Sequence, residues 1–230
     1  MTTIDRNTIE HDTIDQITAD PGVYAPREDS RFLCEVMAAS AAPTDLRVLD
    51  LCTGTGVLAI EAARLGARDV VAYDIDEASA ACARRNAERI GVRVDARHGT
   101  LDDALAQEPF DLVISNPPYV PSPAVPTGRG VHRAWDAGSD GRIVLDPLCD
   151  NAFSLLNPGG TMLIVHSEFA GVDRTVAGLE RAGAVADVVA RRRIPFGPVM
   201  HARTEWMERT GALQPGCRTE ELVVIRGRRL

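Results

Sequence analysis

The sequence predicts an α/β fold: a seven-stranded, mostly parallel sheet with helices on both faces. Two observations carry that expectation. Short apolar runs of strand length alternate with segments of helical period, and the connections between them are mostly short. The chain has 230 residues, 45% apolar and 25% charged, enough for one large core in a globular protein.

The elements follow in order. Residues 1–20 are polar and acidic, and Thr-Ile recurs at 3, 8 and 13 with a spacing that fits neither helix nor strand. They read as a loosely held arm before a single domain over 21–230. Asp20-Pro21-Gly22 is a turn, and Phe32, Leu33, Val36 and Met37 mark a helix over about 28–40. Arg47–Leu51 reads as the first strand. Val57, Leu58, Ile60, Ala63 and Leu65 mark a helix stopped by Gly66. Val70–Tyr73 is the second strand, and Glu77–Ile90 a helix closed by Gly91. Val92, Val94 and Ala96 alternate with Arg93, Asp95 and Arg97, the pattern of a half-exposed edge strand. Phe110–Ser115 is a buried fourth strand. A Pro/Gly-rich loop over 117–142 precedes a helix near 143–156, a turn at Asn157-Pro158-Gly159-Gly160 and a strand over 161–165. A helix over 169–182 and strands over 185–193 and 221–226 complete the set. The stretch 194–219, with a helix around 199–210, is an insert between the last two strands.

Bulk properties narrow the function. The net charge of −8, from 25 basic and 33 acidic residues, disfavours a broad nucleic-acid surface. Arg191-Arg192-Arg193 and the tail Arg226, Arg228 and Arg229 could form a local patch, though a solvated face is the simpler reading. The five cysteines show no C-x-x-C spacing and the five histidines no H-x-x-x-H, so neither a metal site nor a disulfide framework is expected. The N-terminus has no basic segment followed by an apolar core, and no stretch approaches a membrane span. A cytoplasmic protein is expected.

Gly54-x-Gly56 stands at a strand-to-helix turn. Glycines there let backbone approach a ligand closely. Asp74 ends the next strand, 20 residues on, where an acid can take ribose hydroxyls. The set points to a nucleoside-bearing cofactor and does not by itself separate NAD from S-adenosylmethionine. Asp50 tilts the choice: a carboxylate near the loop suits an ammonium group and repels pyrophosphate.

Asn116-Pro117-Pro118-Tyr119 follows the buried fourth strand. Two prolines cannot continue a ladder, so the tetrapeptide is a stiff lip at the sheet edge where ligands bind. A planar NH2 group is a poor nucleophile because its lone pair is delocalised. It improves if acceptors hold both N–H bonds as positive charge develops. The Asn116 side-chain oxygen and the Pro117 carbonyl could be those acceptors, and Tyr119 could stack on the planar group. No base is needed before transfer, since the proton can leave afterwards.

Asp50-Leu51-Cys52-Thr53-Gly54-Thr55-Gly56, Asp74-Ile75-Asp76 and Asn116-Pro117-Pro118-Tyr119 resemble the class I, Rossmann-like, S-adenosylmethionine-dependent N-methyltransferases. Val23-Tyr24-x-Pro26-x-Glu28-Asp29-Ser30 and Ala134-Trp135-Asp136-Ala137-Gly138-x-Asp140-Gly141-Arg142 look like the HemK-related group. Within it they match the short branch without an N-terminal helical domain, which includes glutamine methyltransferases of class 1 release factors. The resemblance implies that Tyr24, Ser30, Asp50, Cys52, Thr53, Gly54 and Gly56 hold the methionine end of the cofactor. Asp74, with Ile75, would take the ribose, Thr100 and Leu101 would border the adenine, and Asn116 to Tyr119 would hold the acceptor amide and the transferring methyl. Two positions depart from the pattern. Cys52 stands where glycine is frequent, and Thr100 where an acid is usual, with Asp102 or Asp103 as substitutes. Eukaryotic members pair with a zinc-binding activator along an edge strand. The charged edge at Arg93, Asp95 and Arg97 discourages such pairing here.

The leading expectation is thus an S-adenosylmethionine-dependent N-methyltransferase acting on a protein glutamine amide, with a release factor as a possible substrate. The alternatives are a nucleic-acid exocyclic amine methyltransferase, a non-catalytic cofactor-binding partner protein and an NAD-dependent oxidoreductase. The net charge and the 4% aromatic content count against the first of these.

Overall fold

A computed structural model describes residues 11–128 and 130–230; residues 1–10, with the Thr-Ile pairs at 3 and 8, lie outside the described residues. The rest of the expected arm is held, not loose. It forms α1 (His11–Gln16), and Ile14 and Ile17 pack on the core. The Thr18 N–H donates to Asn86 Oδ1 at 3.2 Å, and Asn86 Nδ2 donates back to the Thr18 carbonyl at 2.9 Å.

After the arm come α2 (Glu28–Ser40), β1 (Arg47–Leu51), α3 (Val57–Arg64), β2 (Asp69–Asp74), α4 (Glu77–Ile90), β3 (Asp95–His98), α5 (Leu101–Leu105) and β4 (Phe110–Ser115). Then follow α6 (Leu145–Asp150), α7 (Ala152–Leu155), β5 (Leu156–Ser167), α8 (Val172–Arg181), β6 (Val185–Pro195), α9 (Pro198–Thr210) and β7 (Thr219–Arg228). The seven strands form one sheet in the order β3-β2-β1-β4-β5-β7-β6. Pairing is parallel from β3 to β5, and β7 runs antiparallel to both its neighbours. Successive residues of a strand face opposite sides. Val48, Leu112, Ile114 and Leu163 therefore build the core under one helical layer. Leu49, Val113, Met162 and Ile164, their chain neighbours, build the core under the other.

Three boundaries differ from the sequence expectation. β3 begins at Asp95, not Val92. The helix expected near 143–156 is two short helices separated at Asn151. Asn157-Pro158-Gly159-Gly160 is an irregularity inside β5, not a turn before it. Pairing jumps from Phe110–Leu156 to Leu112–Thr161, and the Gly159 N–H donates to the Arg229 carbonyl at 2.8 Å.

The loop over 117–142 is braced against its own start. The Val120 N–H donates to the Trp135 carbonyl at 2.8 Å, the Ala137 N–H to the Val120 carbonyl at 3.0 Å and the Ser122 N–H to the Gly138 carbonyl at 2.8 Å. At the loop's end, Arg142 is 2% exposed and donates to the Ala170 carbonyl at 2.6 Å and to Thr175 Oγ1 at 2.9 Å. The sequence Asp136 to Arg142 is therefore the outer support of the Asn-Pro-Pro-Tyr lip.

Two glycines permit these close approaches. Gly56 has φ +83° at the start of α3, and a Cβ there would lie 2.8 Å from Ala83 Cβ on α4. Gly141 has φ +74°, and its Cβ would collide with the Tyr119 carbonyl. Both positions combine left-handed backbone with backbone contact, so Gly56→Ala and Gly141→Ala should each cost about 1–3 kcal/mol. Urea unfolding measures it; midpoints equal to the parent's would show that neither approach is as tight as the structure has it.

Candidate active site

The lip starts where β4 is clamped to β1, through the Ser115 hydroxyl, which donates to the Leu51 carbonyl at 2.8 Å. Beyond it, neither proline can extend the ladder. The lip is held instead by the first turn of α2. Asn116 Nδ2 donates to Ser30 Oγ at 3.1 Å, and the Tyr119 hydroxyl donates to Asp29 Oδ2 at 3.1 Å. The other oxygen of Asp29 accepts the Ser30 N–H at 2.7 Å. Burial, with the Asp29 carboxylate close by, holds the Tyr119 phenol well above its ordinary range, so it remains a neutral donor. The Tyr119 ring touches both sheet cores and also a third cluster of Val120, Phe196, Met200, Met207 and Leu213. Fixing Nδ2 on Ser30 leaves the Asn116 carboxamide oxygen as its acceptor for an incoming donor.

The Gly loop lies at the neighbouring strand end. Its Thr53 N–H donates to the Tyr73 carbonyl at 3.1 Å, and the Gly54 N–H to Asp74 Oδ2 at 2.8 Å. Asp74 Oδ1 takes the Asp76 N–H at 2.9 Å. Burial raises the Asp74 carboxyl despite these donors. Asn86 Nδ2 supports the loop from α4 by donating to the Thr55 carbonyl at 2.9 Å. A Cβ on Gly54 would meet nothing within 4 Å, so this part of the loop faces open space.

Lip and loop share one cavity of about 750 Å³, the size of a site for a small organic cofactor. Of the residues expected from the sequence, Tyr24, Ser30, Cys52, Thr53, Gly54, Asp74, Ile75, Asn116, Pro118 and Tyr119 line it. Five do not, each for a physical reason. Asp50 is fully buried beneath the loop. Its Oδ2 accepts Thr53 Oγ1 at 2.6 Å and the Ala59 N–H at 3.2 Å, so it shapes the loop and does not face the cavity. Burial pushes its carboxyl up to about 7 against those two hydrogen bonds, and Oδ1 has no partner. Gly56 packs on α4. Thr100 caps α5 in a reciprocal pair with Asp103, whose Oδ2 accepts the Thr100 N–H at 2.8 Å, so Asp103 is also committed. Leu101 packs against the core. Pro117 is buried between its neighbours and is not among the residues that line the cavity.

The cavity also has walls that sequence reasoning did not assign. Asp76 and His98 stand on the Gly-loop side, with His98 Nε2 3.1 Å from the Ile75 carbonyl. On the lip side Trp135 packs on Tyr24, ring centroids 5.3 Å apart, with the Arg27 guanidinium over the Tyr24 ring. Ile194 and Pro195 at the end of β6, Gly197 to Met200 leading into α9, and Glu220 at the start of β7 close the far side. Asp29 and Trp135 lay in quoted motifs without an assigned role. His98 and Glu220 lay in none, and only the sheet register brings them here. Among the described residues no group of three or more His, Cys, Asp or Glu side chains could hold a metal ion, all five cysteines are free, and no helix is long and apolar enough to cross a membrane.

Residues 15–129 match the family model described as the methyltransferase small domain. A proposed protein N5-glutamine methyltransferase of Methanocaldococcus jannaschii is 30% identical over 78% of this chain and 90% of its own length. The release factor glutamine methyltransferases of Mycolicibacterium smegmatis and Bordetella pertussis are 36% and 35% identical, each over 77% of this chain. The chain spans 66% and 70% of those two. Among solved structures, the Encephalitozoon cuniculi Mtq2–Trm112 complex, responsible for methylation of the eRF1 termination factor, matches with TM-score 0.61. It is 24% identical, covering 91% of this chain and 99% of that one. A Thermus thermophilus 16S rRNA N2 G1207 methyltransferase in complex with AdoMet and guanosine matches at 0.59 with 22% identity, over 91% of this chain and 46% of that one. Those two likenesses show the fold. The sequence relatives show more: the chain belongs to the methyltransferase small-domain family and, within it, to the HemK-related class I N-methyltransferases, enzymes whose cofactor is S-adenosylmethionine.

Proposed function

We propose that this enzyme methylates the side-chain amide nitrogen of a glutamine in a protein, and that the protein is a translation release factor, as the names of its sequence relatives point to. The observation that carries the reading is the Asn116 carboxamide. It is fixed by Ser30 at one end and offers an oxygen at the cavity wall at the other. An amide NH2 is planar and weakly nucleophilic. An oxygen held ready for one N–H orients the nitrogen and stabilises the positive charge that develops as it attacks.

The cofactor supplies an electrophilic methyl group on a sulfonium when bound. The residues fit it: an open glycine at the loop, a buried acid at the end of β2 and a cavity of suitable volume. In this reading Tyr24, Ser30, Cys52, Thr53 and Gly54 hold the methionine end. The Asp74 carboxylate accepts the ribose hydroxyls beside Ile75. Tyr119, its hydroxyl tied to Asp29, orients the lip and presents its ring to the acceptor. The cavity's far wall excludes water around the acceptor. An Arg97–Asp95 ion pair, with Arg97 also donating to the Tyr73 hydroxyl at 3.0 Å, stands on the sheet edge at β3, where charged side chains discourage strand addition. The enzyme therefore acts without an activator paired along that strand.

Transfer of labelled methyl from S-adenosylmethionine into cell extract, followed by peptide mapping, tests the acceptor. A glutamine of a release factor is expected, and label in RNA or DNA would sink the reading. Asn116→Ala should lower methyl transfer by roughly 100- to 1,000-fold, the typical loss for one oriented donor or acceptor at a charge-developing atom. Calorimetry should find its cofactor affinity within a few-fold of the parent's; full activity in this variant would remove the role given to Asn116.

A further inference from the structure

Methyl transfer builds positive charge on the amide nitrogen, which must shed a proton as the new bond forms. The lip offers no destination for that proton. Asn116 presents a carboxamide, which is not basic, and the prolines carry no basic group at all. Of the buried acids already described, Asp50 lies beneath the loop and does not line the cavity, and the other two are committed. Asp29 accepts Tyr119 and Ser30, and Asp74 accepts Gly54 and Asp76.

Glu220 is the exception. It lines the cavity, is 4% exposed, and its Oε2 is buried with no hydrogen-bond partner. A buried, unpaired carboxyl oxygen is costly, and a wall of a ligand cavity is where an incoming donor can satisfy it. Its position follows from the topology. β7 runs antiparallel, so its first residues lie at the same sheet edge as the last residues of the parallel strands. Glu220 pairs in register with Ile194, which also lines the cavity. Asp29 and Tyr119 both act on it electrostatically, which sets it beside the lip's own anchor.

We infer that Glu220 is the group that takes the proton from the nitrogen as it is methylated. The inference rests on the N-methyltransfer reading of this cavity and adds to it a second catalytic residue. The electron balance is simple. The amide nitrogen forms a bond to the methyl carbon as the carbon–sulfur bond breaks with its pair going to sulfur. As that bond forms, the nitrogen passes one proton to the Glu220 carboxylate, and the N–H electron pair stays on nitrogen to leave a neutral N-methyl amide. Solvent at the cavity mouth then recovers the proton.

The surroundings tune Glu220 for that task. Burial pushes its carboxyl up to about 7, opposed by the nearby Ser167 hydroxyl and reinforced by Asp29 from α2 and Glu168 beyond β5. Tyr24 and Tyr119 also feel its charge, and both phenols are raised, so neither competes for the proton as phenolate. A receiving carboxylate with a value near neutrality both accepts and releases a proton readily.

The test follows labelled-methyl incorporation into extract from cells lacking the enzyme, across neutral pH, for the parent, Glu220→Gln and Glu220→Asp. The parent rate should rise with pH through about 7 and level off. Glu220→Gln should lose roughly 100-fold in rate and the pH dependence with it. Its affinity for S-adenosylhomocysteine by calorimetry should equal the parent's. Glu220→Asp, which keeps the carboxyl but draws it back, should lose about tenfold and keep the slope. A Glu220→Gln enzyme with the parent's rate and slope overturns the inference; if that variant does not fold, parental rate in Glu220→Asp overturns it. Mapping of the label is a separate readout: methyl on an amine other than glutamine contradicts the proposed acceptor without touching the role of Glu220.

Discussion

The site depends on a junction between two distant parts of the chain. Asp29 and Ser30 open α2; Asn116 and Tyr119 end β4, 86 and 90 residues away along the chain. Two hydrogen bonds of 3.1 Å join them where a double proline has ended the sheet ladder. Each partner solves a problem for the other. The first turn of α2 carries two acids beside free backbone N–H groups, which favours negative charge there. The lip has side-chain donors and no ladder. Their union fixes the carboxamide's orientation without a bond to its oxygen.

The rest of the fold can be understood as support for this junction. β1 and β4 are central and parallel, so their C-terminal ends bring the Gly loop and the lip side by side. Asp50 holds the loop from beneath, and Asn86 holds it from α4 while also tying down Thr18. Val120, Trp135 and Gly141 hold the lip from outside. The result is a cavity whose two halves are both braced from behind by groups that do not enter it, so that few side chains need to be rearranged before reaction.

All seven strands and most of the helices were legible in the sequence, because apolar periodicity and the glycine stops at Gly66 and Gly91 are local signals. The lip, the loop and Asp74 were legible as a set because each sits at a strand end. What was not legible depended on direction. Asp50 is near the loop, as expected, but the donors on Thr53 and Ala59 decide that its carboxyl points inward. Thr100 is spent on a capping box that competes with any ligand role. Pro158-Gly159-Gly160 carries every mark of a turn and is still inside β5, because the backbone of Arg229 pairs with Gly159 and Gly160 while β4 resumes its pairing at Thr161. Glu220 has no motif at all; only register with β6 reveals which edge it joins.

The reversed direction of β7 has a consequence for how such an enzyme can diversify. Because β6 ends and β7 begins at the cavity edge, any residues added between them arrive at the cavity's far wall, away from the β1–β2 ends that carry the Gly loop and Asp74. Here that segment contributes α9 and a small apolar cluster built with Phe196, Met200 and Met207. Substrate choice can therefore drift by insertion, deletion or repacking at a single hairpin while the methyl-donor machinery stays under separate constraint. The topology partitions the molecule into a conservative half and an experimental one, with Glu220 standing on the boundary.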